Sequence, residues 1–112
     1  MDITNDPAAT PAQRIEALRA GVADEHFPSW VPESNNHIHT CFSFSPYTPT
    51  HAALLARRNG LRVVGSVDHD SIGAAAEMSE ATRILGMGSV TGFEIRARFG
   101  EGTPLAQRKL NN

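Results

Sequence analysis

Apolar residues recur along the chain with two different periods, and the alternation between them predicts the elements. Thr10-Pro11-Ala12-Gln13 has the form of a capping box with proline at the first helical position, and Ile15, Leu18 and Val22 follow at helical spacing. A short amphipathic helix to about Gly21 is expected. The next stretch, DEHFPSWVPESN, is interrupted by Pro28 and Pro32 and has no period, so it reads as a connection that carries Phe27 and Trp30 onto an apolar surface and leaves His26 in solvent. Asn36 to Thr40 reads as a strand with Ile38 on one side. Thr48 caps a second helix opening at Pro49, with Ala52, Leu55 and Ala56 as its stripe and Gly60 as its stop. LRVVGSV is then a β-branched strand, SIGAAAEMSEATRILG a helix with Ala75, Met78, Thr82 and Leu85 on one face, and SVTGFEI a third strand.

Strand, helix, strand, helix, strand is the order of parallel βαβ units with right-handed crossovers, which predicts an α/β sheet or barrel. The repeat is regular: 26 residues from His37 to Val63 and 27 from Val63 to Val90, against roughly 31 per unit in an eight-unit barrel. Three such units do not close a barrel.

Composition narrows the function. The chain has 112 residues, 40% hydrophobic, with a net charge of -2 and a single lysine, so it has no electrostatic footprint for nucleic acid or for an anionic membrane. The N-terminus is acidic and lacks an apolar signal core, and no apolar run approaches a membrane span. A cytoplasmic location is the expectation. The lone Cys41 is either a thiolate ligand or a plain small side chain at a strand end.

The polar residues fall into three clusters. His37 and His39 are two positions apart, a spacing that shares a face only in an extended strand, and two convergent imidazoles suit a metal ion. The second strand ends in Asp68, His69 and Asp70, and the third in Gly92-Phe93-Glu94. Taken singly each has an ordinary explanation: Asp70 or Ser71 caps the helix beginning near Ile72, or Glu94 is a solvated strand end. All three nevertheless lie at the carboxyl edge of a parallel sheet, where residues from successive strands meet a ligand, and together they predict a metal site. His51, in the first turn of the second helix, reads as a surface residue.

The order H-x-H-T (His37 to Thr40), V-D-H-D (Val67 to Asp70) and G-x-E (Gly92 to Glu94), with the step Ser45-Pro46, resembles the first three motifs of the PHP family, named for polymerases and histidinol phosphatase. The resemblance covers about residues 36 to 95. It implies a distorted TIM-like (β/α)7 barrel, of which about three βα units are present, holding two or three divalent metals; imidazole and carboxylate donors of intermediate hardness suit zinc, manganese or iron. It also implies hydrolysis of a small phosphorylated substrate by a metal-bound hydroxide. Carried over by position, His37 and His39 hold one metal, His69 another, and Glu94 bridges the two. Glu94 and Asp68 are the catalytic candidates, with Asp68 orienting a ligand or making an occasional direct metal contact. On this reading residues 1 to 35 are an N-terminal helix and connection, and 36 to 112 the first part of a PHP domain. Two departures stand out. Phe44 and Ser45 occupy positions where many members place an aspartate or histidine, and no histidine follows Glu94, so a truncated fragment of weak or no activity is the expectation. Arg96 and Arg98 are placed to meet a phosphate or to lie in solvent. The alternatives are a non-catalytic metal-binding or interaction module that self-associates through open sheet edges, and an amidohydrolase-type metal hydrolase, whose pattern does not call for VDHD followed by GFE.

Overall fold

The computed structural model describes residues 2–43, 45–98 and 109–111. A short 3₁₀ turn, Ile3–Asn5, leads into α1, Pro11–Val22; then follow β1, Ser34–Ile38; α2, Pro49–Arg58; β2, Val63–His69; α3, Ala75–Leu85; and β3, Gly88–Glu94. Two short strands, β4 (Arg96–Arg98) and β5 (Lys109–Asn111), pair antiparallel in a separate ladder. The fold is α/β. Its sheet has the order β1-β2-β3 with both pairings parallel, as the alternation of elements predicts.

Local chemistry accounts for the helix boundaries. The Thr10 hydroxyl accepts from the Gln13 amide at 3.1 Å while the Gln13 side chain accepts from the Thr10 amide at 2.8 Å, closing the expected capping box, a device worth about 1 kcal/mol. Thr48 caps α2 by accepting from the His51 amide, with Pro49 in the first turn. Gly86, at φ 74°, ends α3 in a Schellman arrangement, its amide bonded to the Arg83 carbonyl and that of Met87 to the Thr82 carbonyl.

Helix α3 starts later than its sequence suggests, and neither Asp70 nor Ser71 caps it. Asp70 adopts the left-handed conformation at φ 55° and its amide binds the Glu94 carbonyl at 2.7 Å. The Ser71 hydroxyl accepts from the Gly73 amide, so a local turn takes the donors a helix would need. Strand β1 is also displaced, ending at Ile38 and not at Thr40. The Thr40 amide, which would extend the ladder, is taken by the Asp68 carboxylate at 2.6 Å.

The sheet has two unlike faces. Val64 points to the helices and is fully buried with Leu18, Ala52, Ala53, Leu54, Met78, Ala81 and Leu85, while Ile38, Ile15, Val22 and Phe27 pack at the margin. Ser66 and Asp68 lie on that same side by alternation. The other side carries Val63, Gly65, Val67 and His69, in register with Gly88, Val90, Gly92 and Glu94. Between Asn35 and Ile38, three steps of β1 are matched to two of β2, from Val64 to Ser66, which is a bulge. Gly65 makes it possible. A Cβ there would stand 2.6 Å from the Asn36 carbonyl oxygen and 2.8 Å from its Cα, so the bulged backbone approaches β2 only where β2 has no side chain.

Candidate metal centre

Beyond the bulge, Ile38 turns toward the helices, and His37 and His39 therefore emerge on the opposite face, where the β2–β3 register sets His69 directly beside Glu94. Four residues from three strand ends meet there. Glu94 is at the centre and is 8% exposed. Its Oε1 faces two imidazoles: Nε2 of His37 in direct contact and Nε2 of His39 at 3.5 Å. Its Oε2 faces a third, Nε2 of His69 at 3.4 Å. The rings of His39 and His69 stack at 5.0 Å and 14°, while His37 meets His39 edge-on, also at 5.0 Å.

The donor set suits a divalent ion. Ligating atoms of His37, His39 and Glu94 all lie within 4.8 Å of one another, and neighbouring ligands of a tetrahedral ion with bonds of about 2.1 Å stand roughly 3.4 Å apart. The His39 and His69 distances to Glu94 match that spacing. His37, with its side chain 60% exposed, is the candidate ligand with most room to adjust.

Asp68 lies behind this group and outside it. Its carboxylate, on a residue 2% exposed, accepts from the Thr40 amide at 2.6 Å, the Thr40 hydroxyl at 2.7 Å and the Ser43 hydroxyl at 2.8 Å. It thereby anchors the turn that follows His39 to the end of β2. Ser43 in turn lies 3.3 Å from Nδ1 of His39. Thr40 belongs to the H-x-H-T motif, but Ser43 was not singled out by sequence; its only signal is a hydroxyl four residues after the second histidine.

The other candidates lie elsewhere. Cys41 is free and exposed and is not part of the candidate ligand group; desolvation, only partly offset by the Arg14 charge, holds its thiol above the ordinary value and so disfavours the thiolate. His26 is exposed, as expected. His51 is not the surface residue its helix position suggests. Its side chain is 12% exposed, with Nδ1 3.0 Å from the Thr4 hydroxyl and 3.6 Å from Asp2; burial draws its pKa below the ordinary value against the pull of Asp2. The cause is tertiary: the N-terminal segment folds over the start of α2, with the Thr48 hydroxyl donating to the Thr4 carbonyl. Trp30 does not enter the core but lies under the Arg57 guanidinium at 3.8 Å. The side chains of Arg96 and Arg98, and all of Phe44, lie outside the described residues. No helix among the described residues is long and apolar enough to cross a membrane.

Sequence comparison finds no protein-family model and no curated protein that matches. Structural comparison finds a crystal structure from Bifidobacterium adolescentis, of a protein provisionally named a metal-dependent phosphoesterase, with a TM-score of 0.60 and 27% sequence identity. The match covers 74% of this chain and 27% of that protein, so the chain spans about a quarter of the length of the protein it resembles.

Proposed function

We propose that this chain supplies the opening units of a PHP-type (β/α)7 barrel and, with them, part of a metal-dependent phosphoesterase site. The observation that carries the proposal is the division of Glu94: one carboxylate oxygen faces His37 and His39, the other faces His69. A carboxylate with imidazoles on both sides would suit two adjacent ions, with His37, His39 and Glu94 as the residues that would hold one, and His69 and Glu94 those that would hold the other. Mixed nitrogen and oxygen donors suit zinc, manganese or iron. When bound, such ions supply Lewis acidity toward a phosphoryl oxygen and acidify a coordinated water. Within this chain, Glu94 would contribute negative charge toward the ions, His39 and His69 are held against each other by ring stacking, and Asp68 keeps the turn after β1 in place. The resemblance to the B. adolescentis protein supports metal-dependent phosphoester chemistry; a small phosphorylated molecule as substrate is part of the proposal.

The test is a panel of phosphomonoesters assayed with added manganese or zinc. The 112-residue chain is expected to turn them over weakly or not at all, because misplacement of catalytic groups by about 1 Å can cost 100-fold. A chain that adds further barrel units should hydrolyse at least one, and Glu94→Gln should abolish that activity while leaving the fold. No turnover by the longer chain, or full activity with Glu94→Gln, overturns the proposal. A second reading, a self-associating module, is favoured by one feature: β3 is an edge strand of its sheet and exposes Val90 and Phe93, with Ile95 just beyond.

A further inference from the structure

We infer that Ser43 is a positioning residue that sets the tautomer of His39, holding the ring proton on Nδ1 and turning the Nε2 lone pair toward Glu94. Direction along the chain of hydrogen bonds follows from which groups can only donate. The Thr40 amide is such a group, and it binds Asp68 Oδ1 at 2.6 Å, so that oxygen is an acceptor. The Ser43 hydroxyl lies 2.8 Å from the same oxygen and has one proton to give, which goes there. Toward His39 Nδ1, at 3.3 Å, Ser43 then has only a lone pair to offer, so Nδ1 is the donor.

A neutral imidazole carries one N–H, and with Nδ1 protonated Nε2 is left with its lone pair. The contact from His39 Nε2 to Glu94 Oε1 is 3.5 Å, at the outer limit of a hydrogen bond, whereas a proton on Nε2 would leave the lone pairs of Nδ1 and of the Ser43 hydroxyl facing each other at 3.3 Å. Thr40 braces the arrangement. Its hydroxyl donates to Asp68 Oδ2 at 2.7 Å and accepts from the Phe42 amide, while the Ser43 amide binds the Thr40 carbonyl at 3.0 Å, so the turn that carries Ser43 is tied to β2 at both ends. Asp68 therefore acts on His39 through Ser43 and not by contact with it. The functional consequence rests on the reading of His39 as a metal ligand: a ligand whose tautomer is already set binds without first moving its proton.

Long-range ¹H–¹⁵N spectra of the metal-free protein, recorded where the imidazoles are neutral, report the tautomer of His39 directly. The wild-type protein should show the Nδ1–H form, Ser43→Ala should shift the population toward Nε2–H, and Ser43→Thr, which keeps the hydroxyl, should restore it. In parallel titrations with zinc, Ser43→Ala should bind about 10- to 100-fold more weakly, with Ser43→Thr near wild type. An Nε2–H tautomer in the wild-type protein overturns the inference without any variant, as does a tautomer or a zinc affinity unchanged in Ser43→Ala. If the tautomer follows Ser43 as expected while no variant binds zinc, the role of Ser43 is upheld and the metal reading falls.

Discussion

Glu77 and Glu94 are buried to nearly the same depth, 6% and 8% exposed, and they teach opposite lessons. Glu77, on α3, is saturated by fixed partners. Arg14 of α1 grips it through Nε at 2.8 Å and Nη2 at 2.6 Å, and Thr50 of α2 donates both its amide and its hydroxyl. Arg14 also reaches the carbonyls of Asp6 and Ala9, so one ion pair ties the N-terminal segment to all three helices. Glu94 receives no arginine or lysine and no amide among the contacts described; its neighbours are three imidazoles. A carboxylate surrounded by imidazoles, side chains of a metal-ligating type, suits an exchangeable cation, and one clasped by a guanidinium is arranged to stay put.

The sharpest way to break that contrast is to remove a partner from each side. Arg14→Ala strands Glu77 without its countercharge in a buried site and should cost about 3–5 kcal/mol of unfolding free energy in denaturant titrations. Glu94→Gln should cost far less in the same measurement while eliminating metal binding. Equal destabilisation by the two substitutions would mean that Glu94 is a structural residue like Glu77.

Of these two carboxylates only Glu94 was legible in the sequence. It ends a strand two residues after a glycine, and strand ends in an alternating α/β pattern converge whatever the details of packing, so the clusters His37 and His39, Asp68 to Asp70, and Glu94 could be grouped from spacing, while the choice of His69 among its neighbours rests on the resemblance to the PHP motifs. Glu77 gave no such signal. It lies in a helix whose apolar stripe reads normally, and its partner is 63 residues away in sequence, a separation over which helical periodicity carries no information. The same limit applies to His51 and Thr4. Strand β1 lies two residues earlier than its sequence suggests for a further reason: its end is decided by the Asp68 carboxylate, which competes for the Thr40 amide, and a side chain from another strand leaves no mark on the local pattern.

A smaller effect tests how the imidazoles reach Glu94. Gly65→Ala places a methyl group against the Asn36 backbone and forces the bulge in β1 to open, at a cost of about 1–3 kcal/mol. Because His37 lies within that bulge, metal affinity should fall with stability, and thermal melts with and without zinc would show a smaller zinc-dependent gain in the variant. A variant as stable as wild type with the same gain would show that the close approach of β1 does not set the histidines.

The smallest expected effect is in acid. Burial pushes the Glu77 carboxyl upward, but the Arg14 and Thr50 hydrogen bonds outweigh it and hold the pKa below the ordinary glutamate value of 4.5. A carboxyl depressed in the folded state contributes stability that is fully present above its unfolded pKa and is lost as pH falls through the lower folded one. Stability at neutral pH should therefore exceed that in acid by an increment that Glu77→Gln removes, seen in melts over a series of pH values. An unchanged pH slope in Glu77→Gln would assign the acid loss to other groups.

The most direct measurement of the central claim is metal content. Metal-free protein reconstituted with zinc or manganese, desalted and submitted to elemental analysis should retain a divalent ion, and the double variant His37→Ala, His39→Ala, folded by circular dichroism, should retain markedly less. Metal content in the double variant equal to that of the wild-type protein would contradict the assignment of these residues as a metal centre.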